Sequence, residues 1–182
     1  MKRTSRLAAG LVATAALAAP STLAAAEAAP PVKPVKTQTK QLLKDIAGKD
    51  ARLSRLATSA AVTRLADDTE VTLVARVEEA RAALAEVKAA AEAADSTLDT
   101  RAVRKELRSF RVENLRIVVN VLTKVDGLEE AAATDPEAVA HLAAAEAAAL
   151  AITATSTKAD IRAARSHLTA AQGELEAVTE AG

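Results

Sequence analysis

The sequence predicts an all-α protein, an elongated antiparallel bundle of about five helices with coiled-coil-like seams. Three observations carry that expectation. Of 182 residues, 49 are Ala and 20 are Leu, both strong helix formers, against only 5 Gly and 5 Pro. From about residue 38 apolar positions recur at steps of three and four, with no strand-like alternation of useful length. Short polar breaks separate the periodic stretches, and several pair a hydroxyl or acid with an acid three residues on, the mark of a helix start.

The chain opens with Lys2, Arg3 and Arg6, followed by a 13-residue apolar run from Leu7 to Ala19 and then by small residues. This is the three-part layout of a secretory signal peptide, expected over residues 1–26. Ala24 and Ala26 supply the small side chains cleavage needs, which places the cut between Ala26 and Glu27; Ala26 and Ala28 offer a second register. An uncleaved anchor needs about 20 apolar residues, and Pro20 interrupts this run after 13. Residues 27–37 read as a Pro/Lys-containing spacer, in which PPVKPVK at 30–36 is biased to polyproline II. The mature protein is therefore expected to be secreted by the Sec-type route, extracellular or cell-wall-associated. It would carry 21 basic and 24 acidic residues over 27–182, a net charge of −3. That near balance argues against a nucleic-acid binder.

The helical domain is expected over 38–182. Helix one covers 38–65, with Leu42, Ile46, Leu53, Leu56 and Ala60 as its buried stripe and Gly48 as a weak point. Asp67 and Glu70 suggest a capping box for helix two, which runs to about Ala94 on Val74, Val77, Arg81, Leu84, Val87 and Ala91. Ser96 with Asp99 makes a second box. Helix three then runs from about Leu98 to Ala131, the longest element, with Val103, Leu107, Phe110, Asn114, Val118, Val121 and Val125 on one face. Its middle, Leu115 to Leu122, is apolar nearly all round. Asp135 caps helix four, with Pro136 at the first helical position, and that helix covers about 136–154. Thr157 with Asp160 opens helix five, 158–180, whose seam of Ile161, Ala164, Leu168, Ala171, Leu175 and Val178 wants a partner helix within the chain or in a second copy.

Charge alternates along the chain. Residues 33–64 carry eight basic and two acidic groups, 65–98 three and eight, 99–124 seven and three, and 126–182 three and ten. Each exposed cross-helix pair is worth only about 0–1 kcal/mol, so the pattern selects topology and register rather than holding the bundle together.

Composition narrows the chemistry. There is no Cys, Trp or Tyr and one Phe. Disulfides, thiolate metal sites and a cysteine nucleophile are excluded, and a stacking platform for bases or sugars is not expected. His141 and His167 are the two histidines, and Glu137 lies four residues before His141. No HExxH or comparable ligand set exists, so no metal, cofactor or catalytic residue is assigned. Asn114 and Asn120 interrupt the most apolar part of helix three, a pattern that fixes register or aims at a ligand. The one candidate contact surface is the basic stripe Arg101, Arg104, Arg108 and Arg111, flanked by Lys105 and Arg116. It suits an anionic cell-envelope component, or it is a solvated face partly balanced by the acidic helices two and four.

The segments IAGKDARLSRLATSAAVTRL, VEEARAALAEVKAAAEAA, RAVRKELRSFRVENLRIVV and VLTKVDGLEEA carry a resemblance. Over about 42–178 the chain resembles a family of uncharacterised, exported, Ala-rich helical proteins of high-GC actinobacteria. An Asp-x-x-Leu pattern in the first helix, regular leucines in the second and an aromatic-Arg-Val segment in the third, here Phe110, Arg111 and Val112, are the shared marks. Val125–Asp126 fall where that family has a small residue followed by Asp. The tyrosine and proline that often follow the aromatic-Arg-Val segment are missing here. The resemblance implies an exported helical protein and brings no activity or site residue with it.

Together these readings give a secreted, non-enzymatic helical protein that works as a cell-envelope or extracellular interaction protein. Its expected partner is an anionic envelope component or another helical protein, with no nucleic acid, and with self-association through the 158–180 seam as an option. The alternative is a module for a lipid-like or amphipathic ligand held between helices around Leu115 to Leu122.

Overall fold

Pro34 sets where the bundle begins. Its fixed φ and missing amide suit the position before a helix, and its carbonyl accepts from the amides of Thr37 and Gln38 at 2.9 and 3.1 Å. α1 therefore spans Val35–Ala57 and starts inside the expected spacer. The structure, a computed structural model, describes residues 34–181. The expected signal segment, its cleavage site and the spacer up to residue 33 lie outside them.

α1 ends eight residues before its expected end at 65. Val62 lies nine residues after Leu53, half a turn round a continuous helix, so both cannot face one core without a break. Tight turns at Ser59 and Val62 supply it, and both Val62 and Leu65 are buried. Ala60, expected in the buried stripe, sits exposed on these turns.

α2 spans Asp67–Ala93 and has Ala66 at its N-cap. The expected Asp67–Glu70 capping box does not form, because Asp67 is already inside the helix. Asp67, Asp68 and Glu70 instead place negative charge in the first turn, where the helix dipole favours it. Val77, Leu84, Val87 and Ala91 are buried as expected, while Leu73 and Ala80 take the places of Val74 and Arg81. Arg81 thereby reaches Asp50 of α1 at 2.8 Å and Glu78 at 3.1 Å. These two carboxylates raise its pKa further above the ordinary arginine value.

The expected long third helix is three helices: α3, Thr97–Ser109; α4, Val112–Asp126; and the single turn α5, Glu129–Ala132. Phe110 and Arg111 between the first two are extended, with ψ of 108° and 102°. At the start of α3 the Ser96–Asp99 box forms in both directions. The Ser96 hydroxyl, at 2.6 Å, is the main reason the Asp99 carboxyl titrates below the usual range. α6, Pro136–Leu150, starts on Asp135, whose carboxylate accepts from the amides of Glu137 and Ala138. It ends four residues before the expected 154, since Ile152 and Ala154 turn into the core. α7, Lys158–Ala181, is capped by Thr157 and Asp160.

Five rods result, the third of them broken. Asp50 faces Arg81, and Leu43 and Ile46 share a hollow with Leu84 and Lys88, so α1 and α2 run antiparallel. α3 runs parallel to α1, with Gln38 beside Thr100 and Lys49 beside Leu107. α4 leaves that pair to pack on α6 and α7, and α5 adds to the same side. Large aliphatics such as Leu42, Leu53, Leu84, Leu115 and Leu122 fill the interior. α6 and α7 bury mostly alanines, Ala138, Ala145, Ala149, Ala164 and Ala171, beside Leu142 and Leu168, and pack closely on each other. The α7 seam is used inside the chain through Ala171, whereas Val178 is 59% exposed.

Two outcomes check this account. Gly48 lies mid-helix with open space around the position of an added Cβ, so Gly48→Ala should raise unfolding stability by about 0.5–1 kcal/mol in a denaturant titration. Asp99 has a lowered folded-state pKa, so its cap stabilises above the ordinary Asp value of about 3.9 and fades as pH falls through the folded value. Asp99→Asn should therefore reduce the loss of stability on acidification below about pH 4; an unchanged acid limb would contradict the cap.

Candidate functional site

A helix interrupted between α3 and α4 leaves carbonyls without partners on one side and amides on the other. Each set finds its partner far away in sequence. The Lys49 ammonium of α1 donates to the carbonyl of Leu107 at 3.0 Å and to that of Phe110, and it stands 5.8 Å from the centre of the Phe110 ring. Burial lowers the Lys49 pKa, opposed by the charge of Glu113. The Arg111 amide donates to the carbonyl of Ala154 at 2.7 Å. The buried Asn114 amide donates to the carbonyls of Thr153 at 3.1 Å and Ser156 at 3.0 Å. The 151–157 connection is thus bolted to the break, and α7 starts beside it.

That junction brings together basic side chains from three helices and from the break itself. A hollow of about 710 Å³ is lined by Lys49 of α1, Arg108 of α3, Arg111 at the break, and Lys158, Arg162 and Arg165 of α7. Phe110, Ile117 and Ile161 give it apolar patches. Glu113 is the one carboxylate in the lining, and it is engaged by Arg52 at 3.0 Å. A second hollow of about 750 Å³ shares Lys49 and Arg108 and adds Lys44, Arg52 and Arg104, against Asp45 alone.

The expected stripe is divided by this geometry. Arg108 borders both hollows, Arg104 one and Arg111 the other, while Arg101, Lys105 and Arg116 border neither. Arg111 is no longer on the helical face of Arg104 and Arg108, because the backbone is extended there. Among the described residues no carboxylate lies within ion-pairing distance of Arg101, Arg104, Arg108 or Arg111. Sequence reasoning missed Lys49, Lys158, Arg162 and Arg165. The last three had a signal, being the whole basic content of the acidic segment 126–182 and spaced by four and three on one helix face.

The other singled-out residues fall elsewhere. Asn114 fixes the 151–157 connection, but Asn120 is exposed and interrupts no core. Leu115, Val118, Val119 and Leu122 are interior residues, while Ile117, Asn120 and Val121 line a further hollow of about 520 Å³ with Leu168 and Thr169 of α7. His141 and His167 face each other across α6 and α7 with ring centres 6.2 Å apart. Among the described residues they belong to no group of three or more side chains able to hold a metal, and no helix is long and apolar enough to cross a membrane. No protein family, curated protein or solved structure matches the chain.

Removing the buried Asn114 side-chain amide deletes its hydrogen bonds to the Thr153 and Ser156 carbonyls, together worth about 1–3 kcal/mol. Asn114→Ala should therefore lower unfolding stability by about that amount and speed hydrogen exchange at the Arg111 amide. Unchanged exchange would show that the break is held by something else.

Proposed function

We propose that the protein is an exported, non-enzymatic interaction protein whose cationic cleft holds an anionic component of the cell envelope. One observation carries this reading: six basic side chains converge on a hollow with a single, already paired carboxylate, in a chain whose residues 27–182 are net acidic. Four of the six are arginines, whose forked donors match oxyanions in pairs. Concave walls concentrate the field of such a cluster. The lining offers charge and shape to bind an anion, and its one carboxylate is occupied by Arg52. The signal-like segment 1–26 supports the address.

Residues 27–182 should co-sediment with isolated cell walls, with a bound fraction that falls as salt rises. Each cation near an anionic surface is worth about 1 kcal/mol, so Arg104→Ala with Arg108→Ala should weaken binding roughly ten- to thirtyfold. Absence of binding at low salt would overturn the proposal.

A further inference from the structure

We infer that the two basic hollows form one track for a linear phosphodiester polymer, an inference that rests on the cleft being an anion site. The hollows meet at Lys49 and Arg108, so the cationic surface continues from the α1–α3 side onto the α4–α7 side, with Glu113, paired to Arg52, as the carboxylate between them and Asp45 in the second hollow. Cations at helical steps of three and four stand about 5–6 Å apart. Arg104 and Arg108 follow that step on α3, and Lys158, Arg162 and Arg165 follow it on α7. Such spacing suits a chain of separate single charges better than one compact anion, which would leave most of these groups unused.

The chemistry of the walls favours phosphate over carboxylate. A carboxylate presents two oxygens in one plane and is satisfied by a single guanidinium fork. A phosphodiester is tetrahedral, and its two non-bridging oxygens can be shared between guanidiniums approaching from different sides. Arg108 and Arg111 border the hollow from the α3–α4 side and Arg162 and Arg165 from α7, which is that arrangement. At the start of α7 the amides of Ala159 and Asp160 donate to the Thr157 hydroxyl, and the Thr157 amide donates to the Asp160 carboxylate, so the side chains supply the attraction rather than the helix end. Nucleic acid fits less well. The single aromatic ring at the site, Phe110, is 4% exposed and offers no face on which a base could stack.

The test uses the protein purified after expression of the full chain, titrated with poly(glycerol phosphate), with poly-L-glutamate of matched charge, with single-stranded DNA of matched phosphate count and with inorganic phosphate. Poly(glycerol phosphate) should bind at least tenfold more tightly than the other three. With four to six phosphates engaged, log K should fall against log salt with a slope of about −3 to −4. Arg104→Ala, on one hollow, and Arg162→Ala, on the other, should each reduce that slope by about 1. Arg162→Lys keeps the charge and loses the fork, and should fall between Ala and the parent at unchanged helicity. Equal affinity for polyglutamate, tighter binding of DNA, or inorganic phosphate bound as tightly as the polymer would each overturn the inference. So would a slope lowered at only one hollow. Wall binding without polymer binding would remove this inference and leave the proposed function standing, whereas loss of both would remove the two together.

Discussion

The contact between the Arg111 amide and the Ala154 carbonyl, 2.7 Å long, is the joint on which the rest of the bundle is assembled. A broken helix is costly unless its freed backbone groups are satisfied. Here the satisfaction comes from two distant segments. Lys49 covers the end of α3, and the 151–157 connection covers the start of α4 with help from Asn114. The same joint lets Ile152 and Ala154 reach the core. It also fixes where α7 begins, and thereby puts Lys158, Arg162 and Arg165 across from Arg108 and Arg111. A backbone requirement and a surface property thus have one cause.

The joint was illegible in the sequence for a definite reason. Val103, Leu107 and Phe110 before it and Asn114, Val118, Val121 and Val125 after it keep a helical rhythm, and all seven are buried. The break preserves the phase of the buried face, so periodicity passes straight through it. Neither Gly nor Pro marks the site. Its partners lie about 60 and about 40 residues away, beyond any local pattern. The elements that read correctly are those decided locally: the Ser96, Asp135 and Thr157 starts each place the capping side chain just outside the first helical residue. Asp67 failed because the same residue type one position later is not a cap.

Charge alternation was read correctly as a pattern but does less than its arithmetic suggests. α1 and α2 do pair opposite segments, yet the ion pair between them joins Asp50 of the basic segment to Arg81 of the acidic one. Arg52–Glu113 likewise uses a minority acid of a basic segment. The first links two residues that depart from the sign of their own segment, and the second links one such residue, Glu113, to a base of the majority. The majority charges stay on solvated faces, where they shape long-range potential and contribute little to stability. The candidate site follows the same logic, since α7 supplies its minority cations to a cleft already basic from α3.

Holding six cations around one hollow has a consequence of its own. Like charges repel over a Debye length of about 8 Å at physiological salt, so this cluster adds nothing to the stability of the fold that gathers it. Lys49 is the member least able to move, because it is tied to two carbonyls and partly withdrawn from water. The others stand on exposed positions and can spread into solvent. A ligand that neutralised them would remove the repulsion and stabilise the folded state by mass action as well. A purely structural surface would instead be expected to interleave acids among these bases, as α2 does with Arg76 and Glu79, Arg81 and Glu78, and Lys88 and Glu92. The acids are present elsewhere in the chain in sufficient number, 24 of them, and the cleft has one. That uneven distribution is what separates this surface from the remaining faces of the bundle.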